Sequence, residues 1–191
     1  MSTLNSIINN YVQYDNTWDE MFNEEGHVRE LYSEFGNYLE SVPIESLNKM
    51  QEFSKQFFMN QGVTFTVYDN DEGVEKIFPF DIIPRIISYS DWKIIESGIK
   101  QRITALNLFI KDIYHEQFIL NDNIIPAELM ISNPNYLREM RNINVPNDIY
   151  THISGIDLIR NEDGKFFVLE DNLRTPSGVS YMLENREITR R

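Results

Sequence analysis

The stretch from Gly155 to Tyr181, GIDLIRNEDGKFFVLEDNLRTPSGVSY, constrains the fold of this chain more than any other. Ile153 to Ile159 is an apolar run of strand character, Asn161 to Gly164 (NEDG) carries turn chemistry, and Lys165 to Glu170 is a returning strand. The segment therefore predicts a β-hairpin. Glu170 and Asn172 are two apart and face the same side of an extended chain, and the fold-back can set Asp157 opposite them. Oxygen donors with one or two carboxylates suit magnesium, whose other positions are filled by water and phosphate oxygens. Asp157, Glu170 and Asn172 are thus the candidate metal ligands. The plainer reading of the triplet alone is a polar hairpin end in an acidic protein. The adjoining segment shifts the balance: Leu173 to Gly178 (LRTPSG) combines a cation, two hydroxyls, a proline and a glycine, which suits an ordered loop that meets an anionic ligand.

Charge and cysteine usage remove several classes of function. A formal net charge of −13 disfavours a nucleic-acid partner, which needs clustered Lys and Arg, and an anionic lipid surface likewise. It does not disfavour a metal-bound nucleotide, because the cation reverses the local repulsion. The absence of cysteine excludes disulfides and thiolate metal sites and fits a reducing compartment. No signal-like or membrane-spanning run is present, so the expected location is cytoplasmic. With 41% hydrophobic and 13% aromatic residues, the chain can build a core.

Along the chain the pattern predicts an α+β (mixed α/β) fold in three parts: a helical region over 1–61, a mixed region over 62–150, and the hairpin with its loop over 151–191. Within the first part, Asn23 to Gly26 reads as a break, Pro43 as a stop, and Ile44 to Gln61 as a helix ended by Gly62. Val63 to Tyr68 and Val74 to Phe78 read as a second hairpin about the turn DNDEG. Ser90 or Asp91 is expected to cap a long helix from Trp92 to about Phe118, with Ile95, Ile99, Ile103, Leu106, Phe109, Ile110 and Ile113 on its core face. Residues 121–146, with three prolines, read as loop and short helix, and YMLENR as a helix start. His27, His115 and His152 lack paired metal spacing and read as structural or surface groups. Arg85 and Arg102 either pair with internal carboxylates, Asp81 being one candidate, or orient an anionic substrate. No Walker loop or GxSxG elbow is present.

The stretches YDNTWDEMF at Tyr14, GVTFTVY at Gly62, IFPFDIIPRII at Ile77, QRITALNLFIKDIY at Gln101 and GIDLIR…VLEDNLRTPSGVSYMLENR resemble the circularly permuted ATP-grasp proteins, type 2. The resemblance runs from about Tyr14 to Arg186. It implies an ATP-grasp architecture, here incomplete, with a helical N-terminal region and a C-terminal metal-binding β-hairpin. It also implies that Asp157, Glu170 and Asn172 hold magnesium ions bridging the phosphates of ATP, as the Asp and Glu-x-Asn of ATP-grasp ligases do. Distant permuted relatives, the glutathionylspermidine synthetases, have a similar Glu-x-Asn followed closely by Thr-Pro, which Thr175 and Pro176 echo. Many ATP-grasp enzymes carry an Arg two residues before the metal-binding Asp; Gly155 stands there in this chain, and Arg174 or Arg160 is the candidate substitute.

The resemblance implies an ATP-dependent carboxylate–amine (peptide-type) ligase working through an acyl phosphate with Mg-ATP. Its partners are small-molecule or peptide carboxylate and amine substrates. Arg174 is then the catalytic candidate, and Arg174, Thr175 and Ser177 the candidate phosphate contacts. Family members are much longer than this chain, which is therefore expected to be an N-terminal fragment ending before the nucleotide-gripping part. The alternative is a non-catalytic interaction or scaffold module that keeps the ATP-grasp fold; Gly155 favours it. Structural calcium is disfavoured by the low ligand count.

Overall fold

Gly62 sets the first well-defined boundary. The structure, a computed structural model, describes residues 7–8, 11–69 and 72–190, with side chains for all of these except 65–69 and 72–75. Helix α1 spans Ser33–Ser41, after a 3-10 turn at Glu30–Tyr32, and α2 spans Ile44–Gln61 between Pro43 and Gly62, as the sequence predicts. Gly62 takes the left-handed conformation (φ 67°), and Val63 N–H reaches back to Phe58 O at 2.9 Å, closing the helix end. The turn feeds strand β1 (Thr64–Asp69), which pairs antiparallel with β2 (Glu72–Ile77), Thr64 opposite Ile77 and Asp69 opposite Glu72. The tip of the predicted DNDEG turn lies outside the described residues.

The expected helical character of residues 1–43 does not extend over Tyr11 to Arg29, where the structure shows no helix. Between Tyr11 and Arg29, polar side chains satisfy the backbone instead. Asp19 Oδ1 accepts the N–H groups of Met21 and Phe22, and Asn23 Oδ1 those of Glu25 and His27. Such local bonds compete with helix formation. Gly26 (φ 80°) then turns the chain so that Phe22 bridges Val28.

Two compact units divide the chain: one comprises the chain up to Ser88 with Ile159–Phe167 and Ser177–Arg191, the other Tyr89–Leu158 with Val168–Pro176. In the first, α2 buries Phe57 and Phe58 against Ile188 of the C-terminal helix, with Val63, Ile77 and Phe80 packed around them. Tyr181 of the same helix stacks on Phe78 (4.5 Å) and donates its hydroxyl proton to Thr64 O (3.1 Å).

The second unit is built on α3 (Tyr89–Tyr114), which begins before the predicted cap, so that Ser90 and Asp91 lie in its first turn. It also stops short of Phe118. Gln117 adopts a left-handed conformation (φ 59°) and Asp112 accepts the N–H groups of Phe118 and Ile119 at 3.0 Å each, starting the short helix α4 (Phe118–Asn121). A carboxylate held over exposed N–H groups ends one helix and caps the next. The predicted stripe is the less exposed side of α3, with Ile95 and Ile113 buried and the other five positions half-buried. Helix α5 (Ala127–Ile131) and 3-10 turns at Arg138–Met140 and Pro146–Asp148 fill the proline-containing stretch. Asn107 ties this stretch to α3: its Oδ1 accepts Tyr150 N–H (2.8 Å) and Thr151 N–H (3.3 Å).

Strand β3 (Gly155–Arg160) pairs with β4 (Phe166–Asn172) in a second two-stranded sheet. The five intervening residues permit only an antiparallel arrangement. β3 starts two residues later than predicted. β4 runs two residues further and takes in Asn172. The C-terminal helix, α6, spans Gly178–Thr189 and so begins about a turn before the predicted start at YMLENR. The mixed helical and antiparallel-sheet architecture agrees with the α+β expectation.

Candidate functional site

The turn of the β3–β4 hairpin belongs to the first unit and its open half to the second. At the turn, Asn161 N–H donates to Lys165 O (3.0 Å) and Asn161 Oδ1 accepts Lys165 N–H (2.8 Å), which sets residue 161 opposite 165. Gly164 has φ 77°, and a Cβ there would lie 2.6 Å from the Trp18 ring. At the open end, a Cβ on Gly155 would lie 3.5 Å from Asn172 Cβ, which sets 155 opposite 172 on one face. β4 therefore carries one more residue than β3 between these two pairs, the count of a β-bulge.

That extra residue decides the site. Strand alternation puts Asp157 on the face of Gly155, and Glu170 on the face of Asn172. With 155 opposite 172, all three candidate ligands share a face; an unbulged hairpin counted from the turn would have put Asp157 on the face of Leu169 instead. All three are exposed. Asn172 Nδ2 donates to Glu170 Oε1 at 3.2 Å. The Asn172 side-chain carbonyl oxygen and the second Glu170 oxygen have no partner among the described residues. Two carboxylates and an amide oxygen, accessible to solvent, are a donor set that fits magnesium with its remaining positions left to water or phosphate. Among the described residues no three His, Asp or Glu side chains group into a fuller metal site.

Asp171, between Glu170 and Asn172, points the other way. Arg102 of α3 donates through Nε to both its oxygens, at 2.7 and 2.9 Å. The guanidinium holds the Asp171 carboxyl below its ordinary range, and the carboxylate raises the Arg102 pKa in turn. Arg102 thus takes the structural option of the two the sequence left open, with Asp171 rather than Asp81 as its partner. Asp81 bonds to Ile83 N–H in its own turn, and Arg85 pairs with Glu20 (Nε to Oε1, 2.9 Å). Sequence reading missed Asp171 and Asn107; the alternation of β4 was the signal for the first.

The loop after β4 folds back on the hairpin. A Cβ on Gly155 would come within 3.1 Å of Pro176 Cβ, so the proline closes the position where many ATP-grasp enzymes carry an arginine. Of the two candidate substitutes, Arg160 is engaged elsewhere. It donates to Gly164 O (2.8 Å) and Glu20 (3.0 Å), lies over the rings of Trp18 and Phe166, and is 11% exposed. Arg174 is exposed and has no ion-pair partner among the described residues. Thr175, also exposed, lies beside it in the second unit, whereas Ser177, at the N-cap position of α6, belongs to the first. Of the histidines, His27 is exposed near Glu25, His115 Nε2 lies 3.1 Å from Tyr150 Oη, and His152 is exposed. No helix among the described residues is long and apolar enough to cross a membrane.

Residues 84–191 match the family described as circularly permuted ATP-grasp type 2. The chain is 45% identical over 173 residues to an uncharacterized protein of Synechocystis, covering 91% of this chain and 36% of that protein. An uncharacterized protein of Mycobacterium leprae is 45% identical over 175 residues, with 91% and 30% covered. A Frankia alni protein named "Putative glutamate--cysteine ligase 2-3" is 36% identical over 171 residues, with 90% and 20% covered. The chain thus spans about a third of the length of the first two of these relatives and a fifth of the third. The match takes in the whole of the hairpin and loop, and the chain belongs to the circularly permuted ATP-grasp type 2 family.

Proposed function

We propose that this chain supplies the metal- and phosphate-holding side of an ATP-dependent carboxylate–amine ligase. The observation that carries the reading is the common face of Asp157, Glu170 and Asn172, in a chain of the ATP-grasp family. Asp157 and Glu170 would hold magnesium through their carboxylates and Asn172 through its amide oxygen. Magnesium-bound ATP supplies the phosphoryl group that turns a substrate carboxylate into an acyl phosphate, from which an amine displaces phosphate to leave an amide. The contribution of this chain is positioning and electrostatics, which dominate phosphoryl-transfer catalysis. Arg174, the catalytic candidate, is in reach of an incoming ligand because no carboxylate among the described residues pairs with it, and its planar fork suits phosphate oxygens. Thr175 and Ser177 are the hydroxyl contacts of the same loop. The name of the Frankia relative describes the joining of two amino acids and supports the carboxylate–amine class, although it belongs to a protein of which the matched part is a fifth.

Calorimetric titration of ATP, magnesium and both together tests the reading. ATP is expected to bind only with magnesium, and at least tenfold more weakly in Asp157→Asn and Glu170→Gln. In a longer protein of this family carrying the same residues, Glu170→Gln is expected to abolish ATP turnover at an unchanged melting temperature; wild-type turnover would sink the assignment. A second reading, a non-catalytic interaction module, draws on the closure of position 155 by Pro176. It predicts no magnesium-dependent ATP binding in either protein.

A further inference from the structure

A cavity of about 440 Å³ is lined wholly by residues of the first unit, none of them among the candidate metal and phosphate contacts. Its walls are aromatic and aliphatic, with Tyr11, Trp18, Phe22, Tyr32 and Ile83 prominent, and its size is that of a small-molecule site. Of the lining tyrosines, Tyr11 stacks on Phe22 at 5.1 Å and is half exposed, and Tyr14 is 79% exposed.

The charges on this wall are unequal. Glu20 is matched by Arg85 and Arg160. Asp19 has no cationic partner among the described residues; its oxygens accept the Tyr11 hydroxyl proton at 2.6 Å and the N–H groups of Met21 and Phe22. The bond to Asp19, aided by burial, pushes the Tyr11 pKa up to about 12, so the phenol stays a neutral donor to that carboxylate. An adjoining hollow of about 260 Å³ shares Tyr14, Trp18 and Asp19 and adds Asp15, Glu24 and Glu162 against one cation, Arg29. The Arg29 guanidinium is committed to Trp18 (4.0 Å) and, through Nε, to the carbonyls of Asp19 and Phe22.

We propose that this cavity is a binding site for a primary amine carried on an apolar or aromatic body. The body fills the aromatic interior, and the ammonium group sits at the mouth beside Asp19, facing the electron-rich faces of Tyr11 and Tyr14. An anion of the same shape meets an uncompensated carboxylate, and a neutral alcohol gains only the apolar contacts. The inference does not rest on the ligase reading and holds or fails without it.

The test uses the 191-residue chain with Trp92→Phe, which leaves Trp18 as the single indole reporter. Three probes of one shape, 4-phenylbutylamine, 4-phenylbutanol and 4-phenylbutyrate, are titrated by Trp18 fluorescence and calorimetry. The amine is expected to bind at least tenfold more tightly than the alcohol, and the carboxylate more weakly still. Asp19→Asn, which keeps Oδ1 for the backbone bonds, is expected to bring amine and alcohol within about twofold. Ile83→Phe, which adds a ring to the cavity wall without a second indole, is expected to weaken binding of all three at least tenfold. Equal affinity of the three probes, or no saturable binding to the folded chain, overturns the proposal. So does an amine preference that survives in a folded Asp19→Asn protein.

Discussion

A side chain at position 164 has nowhere to go: the backbone is left-handed and the Trp18 ring occupies the place of its Cβ. Gly98, inside α3, has open space around it and bears only the entropic cost of glycine in a helix. The two therefore respond to alanine with opposite signs. Gly164→Ala is expected to destabilise the first unit by about 1–3 kcal/mol, and Gly98→Ala to stabilise the second by up to about 1 kcal/mol. Urea denaturation of the two variants checks both. At this scale the candidate ligands come from the sequence, since Glu170-x-Asn172 after an aspartate strand is a local pattern. The fold-back allowed Asp157 on their face, but whether it falls there depends on the extra residue of β4, and a period-two pattern does not record where a bulge falls.

Helix α2 was readable from Pro43 to Gly62 because both boundary signals act through their own backbone conformation. Its energetic role rests on Phe58, fully buried among Phe57, Ile188 and Phe80. Phe58→Ala is expected to cost about 3–5 kcal/mol, seen as a lowered denaturation midpoint. The end of α3 was not readable in the same way, because the side chain that stops it, Asp112, lies six residues before the helix it caps. The link from α3 to β4, Arg102 to Asp171, gives a pH dependence with a definite sign. The Asp171 carboxyl titrates lower in the folded chain than the unfolded value of about 3.9. The pair thus contributes stability above about pH 5, and the contribution fades as pH falls below about 4 toward the folded value. Asp171→Asn is expected to lower stability at pH 7 and to flatten the acid limb of a stability–pH curve measured by denaturation from pH 7 to 2.5.

Over the whole molecule, a net charge of −13 on 191 residues sets a repulsion that added salt screens. The melting temperature at pH 7.5 is expected to rise between 10 mM and 300 mM NaCl, and the gain to shrink toward pH 4.6, the sequence isoelectric point. Salt-independent melting at pH 7.5 would count against this. Family membership was readable in the sequence, because the motifs that carry it are contiguous.

The sequence by itself determined the helix and strand types, the ends of α2, the acidic character that points to a cation-mediated phosphate site, and the identity of the candidate ligands. These come from local conformational preference and from side-chain chemistry, both properties of neighbouring residues. Only the tertiary structure decided that Asp157 shares a face with Glu170 and Asn172, that Pro176 closes position 155, and that Arg160 and Arg102 pair with carboxylates 140 and 69 residues away. It alone also joined Tyr11, Trp18 and Tyr32 to Ile83 around one cavity. Each depends on segments distant in the chain meeting at a few ångströms, a distance that packing sets and no local pattern encodes.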